Sequence, residues 1–137
     1  MNIRKTSIQD LKQILDLYVE KVKLLRKINS PISWNDFTYL EDATKHDISD
    51  GYSFVMEDEY IVASFALKPI DGDRNAFVRF VSLDECDLFI KALTFCLSKS
   101  KHLLVKLYKT DDKKIAYLLS HGFSICDENE FEVSLQN

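Results

Sequence analysis

The stretch Phe77–Lys99, FVRFVSLDECDLFIKALTFCLSK, reads as a strand running straight into a helix. Cys86, Phe89, Ile90, Leu93, Cys96 and Leu97 fall at i, i+3, i+4, i+7, i+10 and i+11, the spacing of one buried helical face. Junctions of this kind attract anions, because free backbone N–H groups and the positive end of the helix dipole meet there. A phosphate comes that close only where glycines leave room. The junction Ser82-Leu83-Asp84-Glu85-Cys86-Asp87 has no glycine and three carboxylates. Ser82 and Glu85 also have the Ser-x-x-Glu spacing of a capping box, which predicts a helix start closed by its own side chains.

Working outward, His102–Tyr108 is an apolar strand that a helix separates from the strand Ala76–Val81. The two are expected to pair in parallel through a right-handed crossover. Upstream, Tyr52–Glu57 and Tyr60–Lys68 should join Ala76–Val81 in an antiparallel meander, with turns at Met56–Glu59 and at Pro69-Ile70-Asp71-Gly72-Asp73. Leu11, Ile14, Leu15, Tyr18, Val22, Leu25 and Ile28 step by three and four, predicting a long amphipathic helix after Ser7–Asp10 and ending at Asn29-Ser30-Pro31. Ser33-Trp34-Asn35-Asp36 offers a cap for a second helix carrying Phe37, Leu40, Ala43 and Thr44 to about Ile48. Asp111 should cap a short helix with Ile115, Leu118 and Leu119 that ends at Gly122. Asn2–Lys5 opens the chain as a strand, and Phe123–Cys126 and Glu130–Leu135 close it. The expected fold is α/β, a mixed central sheet flanked by helices in the order β-α-α-β-β-β-α-β-α-β-β.

With 137 residues, three Gly and two Pro, the chain suits a single domain spanning 1–137 with little linker. Charge is uneven. Residues 1–34 carry seven basic against three acidic side chains, 35–90 four against thirteen, and 91–137 seven against six. The acidic balance disfavours nucleic acid as a partner. No stretch approaches a membrane span. Cys86 and Cys96 fall on one helix face about 15 Å apart by helical rise, so free buried thiols and a reducing cytoplasm are expected.

The element order resembles the GNAT-type N-acetyltransferases, and short phrases agree. They are Asn2-Ile3-Arg4-Lys5-Thr6 with Asp10-Leu11 and Ile14, Phe54–Asp58 with Ile61-Val62-Ala63, and Leu118-Leu119-Ser120-His121-Gly122-Phe123. The resemblance covers nearly the whole chain and implies acetyl-CoA as cosubstrate. It places the cofactor at Val81, Ser82 and Leu83, and the family's Arg/Gln-x-x-Gly-x-Gly/Ala loop falls on Leu83-Asp84-Glu85-Cys86-Asp87, which has neither glycine nor basic residue. The family's late Asn falls on Asp111. Its thiolate-protonating Tyr falls on Leu118, with Tyr117 one residue and about 100° away on the helix.

Among the remaining candidates, Glu57, Asp58 and Glu59 include a possible general base for an amine, against the plainer reading of a charged turn. Arg79, on a central strand, needs an acidic partner if buried. Tyr108 ends the strand that borders the cofactor cleft in related folds, as a general acid or a rim tyrosine. Lys99, Lys101, Lys106, Lys109, Lys113 and Lys114 could meet CoA phosphates or stay solvated. Trp34 sits where the family often shapes its acceptor pocket. His46, His102 and His121 share no ligand spacing, and no metal is expected. Two readings stay open. One is a divergent domain with impaired or non-classical acetyl-CoA binding that serves as a binding or regulatory module. The other is an active acetyl-CoA-dependent transferase acting on a small amine or peptide amine. The partner is accordingly a small-molecule amine or a protein, with a homodimer left open.

Overall fold

The computed structural model describes residues 1–28, 37–84 and 86–137. Seven strands form one mixed sheet: β1 (Asn2–Lys5), β2 (Ser53–Glu57), β3 (Ile61–Asp71), β4 (Arg74–Ser82), β5 (His102–Tyr108), β6 (Ser124–Glu128) and β7 (Glu132–Gln136). Their order across the sheet is β1-β2-β3-β4-β5-β7-β6. The helices are α1 (Leu11–Lys27), α2 (Phe37–Asp50), α3 (Asp87–Lys99) and α4 (Asp112–Ser120). The expected meander β2-β3-β4 is antiparallel throughout, and β4 and β5 pair in parallel.

Alternation along the strands divides the core between the two faces. On one face Met56, Phe65, Phe77, Leu103, Val105 and Leu107 meet Phe89, Leu93 and Cys96 of α3. On the other, Val55, Ile61 and Val81 meet Ile14 and Tyr18 of α1 and Leu40 of α2. Phe89 lies edge-on to both Phe77 and Phe80, with ring centres 5.6 Å apart in each case. Fully burying one such side chain contributes about 1.5–3 kcal/mol. Gly122 has φ +88° just beyond α4, and the Phe123 N–H closes the helix onto the Leu118 carbonyl at 3.1 Å. That geometry favours glycine.

Two local readings change. The strand β3 runs through Pro69 to Asp71, so the expected five-residue turn shrinks to Gly72-Asp73. Proline is tolerated there because β2 pairs with β3 only as far as Ala66, beyond which the Leu67 N–H reaches the Tyr52 carbonyl. Pro69, two residues on, turns its missing donor toward an unpaired edge. Cys86 does not share the buried face of α3: it is the half-buried residue that precedes the helix, and its carbonyl accepts the first helical bond from Ile90 at 3.0 Å. The three cysteines are free, Cys96 buried and Cys126 exposed. The Ser33–Asp36 cap and Trp34 lie outside the described residues. No helix among the described residues is long and apolar enough to cross a membrane.

The N-terminal corner is tied by charge. Arg4 donates to Asp10 at 2.8 and 3.1 Å and to Glu57 at 3.1 Å from both Nε and Nη2. The Ser7 N–H donates to Asp10 as well, at 2.8 Å. The Arg4 hydrogen bonds, joined by that from Ser7, hold the Asp10 carboxyl below its ordinary 3.8 despite its burial. A carboxyl so lowered stabilises the fold above its unfolded pKa and loses that contribution as pH falls through the folded one. We therefore expect stability, read from urea midpoints, to decline as pH drops below 3.8. Asp10→Asn should be less stable at pH 6 and should flatten that acid slope. An equal acid slope in both proteins would refute the assignment.

Candidate functional site

The most informative feature for function is where β4 and β5 part. They pair from Arg74↔His102 to Phe77↔Val105 and no further. Beyond that point β4 keeps its pairing with β3 alone, through Val78↔Ala66, Val81↔Ser64 and Ser82↔Ala63. Between these pairs Phe65 of β3 faces two residues of β4, Arg79 and Phe80, which makes a β-bulge. Arg79 has φ +53° and is the one non-glycine residue with positive φ among those described. For an L-residue that conformation costs about 1–2 kcal/mol.

The surroundings hold it there. The Arg79 Nε donates to Asp47 Oδ2 at 2.7 Å, and Nη2 lies 2.6 Å from the same oxygen. Lys68 Nζ lies 3.4 Å from Asp47 Oδ1. Asp47, on α2, is only 3% exposed, and a carboxylate buried to that degree requires paired cations. The Tyr18 hydroxyl of α1 donates to the Arg79 carbonyl at 3.2 Å. Burial pushes the Tyr18 phenol up, which keeps it protonated for this bond. The expectation that a buried Arg79 would need an acid is met by Asp47.

The divergence opens a cleft of about 420 Å³. Its walls are Val78, Arg79 and Phe80 of β4, Lys106, Leu107 and Tyr108 of β5, and Tyr18, Tyr39 and Leu40 of the two N-terminal helices. Asp111, Lys114 and Glu132 complete it. Because Leu103, Val105 and Leu107 point to the α3 face, Lys106 and Tyr108 project toward the α1–α2 face. Tyr108 pairs with Glu132 across β5 and β7, so both side chains stand on that same face. On the other side Lys114 of α4 is buried, its ammonium 5.3 Å from the Phe80 ring centre and 5.5 Å from that of Phe89. Asp111 lies 3.8 Å from that ammonium.

Where β4 leaves the cleft, the start of α3 carries its own anion. The Leu88 N–H donates to Asp84 Oδ2 at 3.1 Å, and Asp87 opens the first turn. Glu85 lies outside the described residues, and Ser82 does not act as the cap: its hydroxyl donates to the Asp84 carbonyl at 3.0 Å. Asp84 takes the role expected of Ser82. Burial pushes the Cys86 thiol up, a shift opposed by Lys114 and assisted by Asp87 and Asp84.

Of the residues singled out from sequence, Arg79, Lys106, Tyr108, Asp111 and Lys114 meet in the cleft. Val81 and Ser82 are buried where β4 ends, and Leu83 is exposed beside them. Glu57 lines a different, open groove of about 760 Å³ with Asp58, Glu59 and Tyr60, and is engaged by Arg4. Tyr117 stacks on His121, ring centres 4.0 Å apart, and is not among the cleft residues. Asp47 and Glu132 were not foreseen, and Lys114, expected either to meet CoA phosphates or to stay solvated, is buried instead. Asp47 had a signal: Leu40, Thr44 and Asp47 step by four and three and are the buried side of α2. Replacing Asp84 by Ala should lower stability by about 1 kcal/mol as a lost cap, measurable by chemical denaturation. An unchanged midpoint would mean that the carboxylate does not hold the helix start.

No protein-family model matches the chain, and no curated protein matches it in sequence. Solved structures do match. A GNAT-family acetyltransferase from Streptococcus agalactiae aligns over 99% of this chain and 94% of its own at TM-score 0.79 and 17% identity. One from Bacillus cereus aligns over 99% and 95% at TM-score 0.74 and 16% identity. The PaiA N-acetyltransferase of Thermoplasma acidophilum, solved in complex with coenzyme A, aligns over 99% and 97% at TM-score 0.72 and 16% identity. The chain thus has the fold of the GNAT acetyltransferases.

Proposed function

We propose that this chain is a divergent acetyltransferase-type domain that keeps a slot for an acyl-pantetheine arm but has closed the diphosphate anchor. In this reading acetyl-CoA binding is impaired or non-classical, and the domain serves as a binding or regulatory module. The observation that carries the reading is the Asp84 carboxylate on the Leu88 N–H.

The two parts of acetyl-CoA fare differently against these residues. The cleft suits the arm: between Val78 and Ser82 the β5-facing edge of β4 has no strand partner, and an extended chain bearing amides can pair with such an edge. The α3 start does not suit the diphosphate. One helix amide is already bonded, and Asp84 and Asp87 would repel a further anion. Charge-assisted hydrogen bonds are worth about 1.5–3 kcal/mol each, so losing two weakens binding by roughly a hundredfold or more. The proposed partner is a small-molecule amine or a protein, with a homodimer as a further option, and the proposed compartment is the cytoplasm.

A second reading, an active acetyl-CoA-dependent N-acetyltransferase for a small amine or peptide amine, draws on Tyr108 and Glu132. They stand side by side on the α1–α2 face of the cleft, and both line it. In that reading Tyr108 is the proton donor and Asp111 borders the cosubstrate.

Titration calorimetry with acetyl-CoA and free CoA separates the two. The first reading expects weak or undetectable heat and little thermal stabilisation at millimolar ligand. A micromolar Kd would add about 4 kcal/mol under those conditions, a melting shift of several degrees. Asp84→Gly combined with Asp87→Ser should raise affinity. Micromolar binding by the unaltered chain would overturn the closed-anchor reading in favour of the enzyme.

A further inference from the structure

We infer that Asp47 is a positioning residue for the cleft: its carboxylate holds Arg79 in the left-handed conformation that keeps β4 from zipping onto β5. The inference concerns the cleft itself and stands apart from whatever ligand enters it.

Continuing the observed register one residue at a time would pair Val78 with Lys106, Arg79 with Leu107 and Phe80 with Tyr108. All six line the cleft, so extending the ladder and closing the cleft are the same event. The partner strand is ready for it. β5 stays regular to its end, paired with β7 through Tyr108↔Glu132 on its other side. Only β4 turns away, and it does so at the bulge. A parallel ladder gains hydrogen bonds by continuing, and an unpaired strand edge invites pairing. The open form therefore needs an opposing interaction at the bulge.

The contacts at Arg79 fit that task. The guanidinium reaches back to α2, where Nε and Nη2 both engage Asp47 Oδ2. Lys68, from β3, holds the other oxygen and so fixes the carboxylate from the opposite side. Tyr18, from α1, takes the Arg79 carbonyl that the ladder would otherwise use. Two helices thus converge on one residue of β4, and β3 supports the carboxylate that one of them supplies. A glycine would adopt φ +53° without strain, yet the position holds a residue that resists it. The side chain that makes the conformation costly is the one bonded to Asp47, which fits a tether far better than a passive ion pair.

The test uses the full chain without ligand and reads backbone amide hydrogen exchange at Val78–Phe80, with the Arg79 NMR shifts as a conformational signature. Asp47→Asn should raise protection at these amides and move Arg79 toward extended shifts as the strands zip. Adding Arg79→Gly to Asp47→Asn removes the left-handed strain and should return exchange to the wild-type pattern. If Asp47→Asn fails to fold, Tyr18→Phe, which removes the hydroxyl that bonds the Arg79 carbonyl, should shift the same amides in the same direction. Unchanged exchange at Val78–Phe80, or a uniform loss of protection across the sheet, would overturn the inference. So would a double variant that behaves like Asp47→Asn alone.

Discussion

Two parallel strands that begin a ladder and then abandon it set the constraint around which this molecule is arranged. Parallel pairing is favourable at every added residue, so a pair that stops at Phe77↔Val105 must be made to stop. The bulge at Arg79 does this, and it needs a buried carboxylate, a buried phenol and a second cation in place around it. The positions of α1 and α2 follow from that need. Their apolar stripes supply Ile14, Tyr18 and Leu40 to the core of one face. The same packing delivers Tyr18 and Asp47 to the bulge. The hydrophobic face of each helix is thereby also the means by which the cleft is kept open.

Much of this architecture could be read from local pattern. The three-four stepping from Leu11 to Val22 marks α1, and the runs Tyr52–Glu57 and Ala76–Val81 mark strands, although the bulge that puts Phe77 and Val81 on opposite faces breaks the alternation a regular strand would keep. A strand, a helix and a strand in succession at Ala76–Tyr108 implied the parallel pairing. Each of these rests on neighbours within a few residues. What could not be read rests on pairs far apart in the chain. Asp47 meets Arg79 across 32 positions, and Tyr108 meets Glu132 only through the register of β5 with β7. Nothing in the composition of β7 distinguishes Glu132 from a solvated strand residue. Pro69 misled for the opposite reason. A strong local turn signal was overridden because β3 outruns its partner β2 and leaves an edge that tolerates a missing donor.

The α3 start is a case in which composition pointed the right way through the wrong atom. Three carboxylates and no glycine indicated a self-satisfied helix end. The side chain that satisfies it is Asp84 rather than Ser82, whose hydroxyl turns to the Asp84 carbonyl instead. The physical content is the same, since a helix N-terminus attracts negative charge whether it comes from a ligand or from the chain. The difference lies in competition. A carboxylate attached four residues before the amide it binds is present at high effective concentration, so an incoming phosphate has to displace it rather than fill a vacancy.

Lys114 bears on how that competition plays out along the cleft. Its ammonium lies over Phe80 and Phe89 and within 3.8 Å of Asp111, so it carries positive charge into a setting otherwise made of aromatic rings. The acids Asp84 and Asp87 stand at the α3 end, while Tyr108 and Glu132 stand on the opposite face of the sheet. An anionic group moving from Lys114 toward α3 thus leaves a cation already shared with Asp111 and meets two carboxylates. An uncharged amide-bearing arm can use the unpaired edge of β4 without entering that acidic end. Desolvating the charged group costs far more than desolvating the amides, and the α3 end offers it little in return. Under the proposed reading, these electrostatics favour the neutral part of a pantetheine ligand over its phosphates.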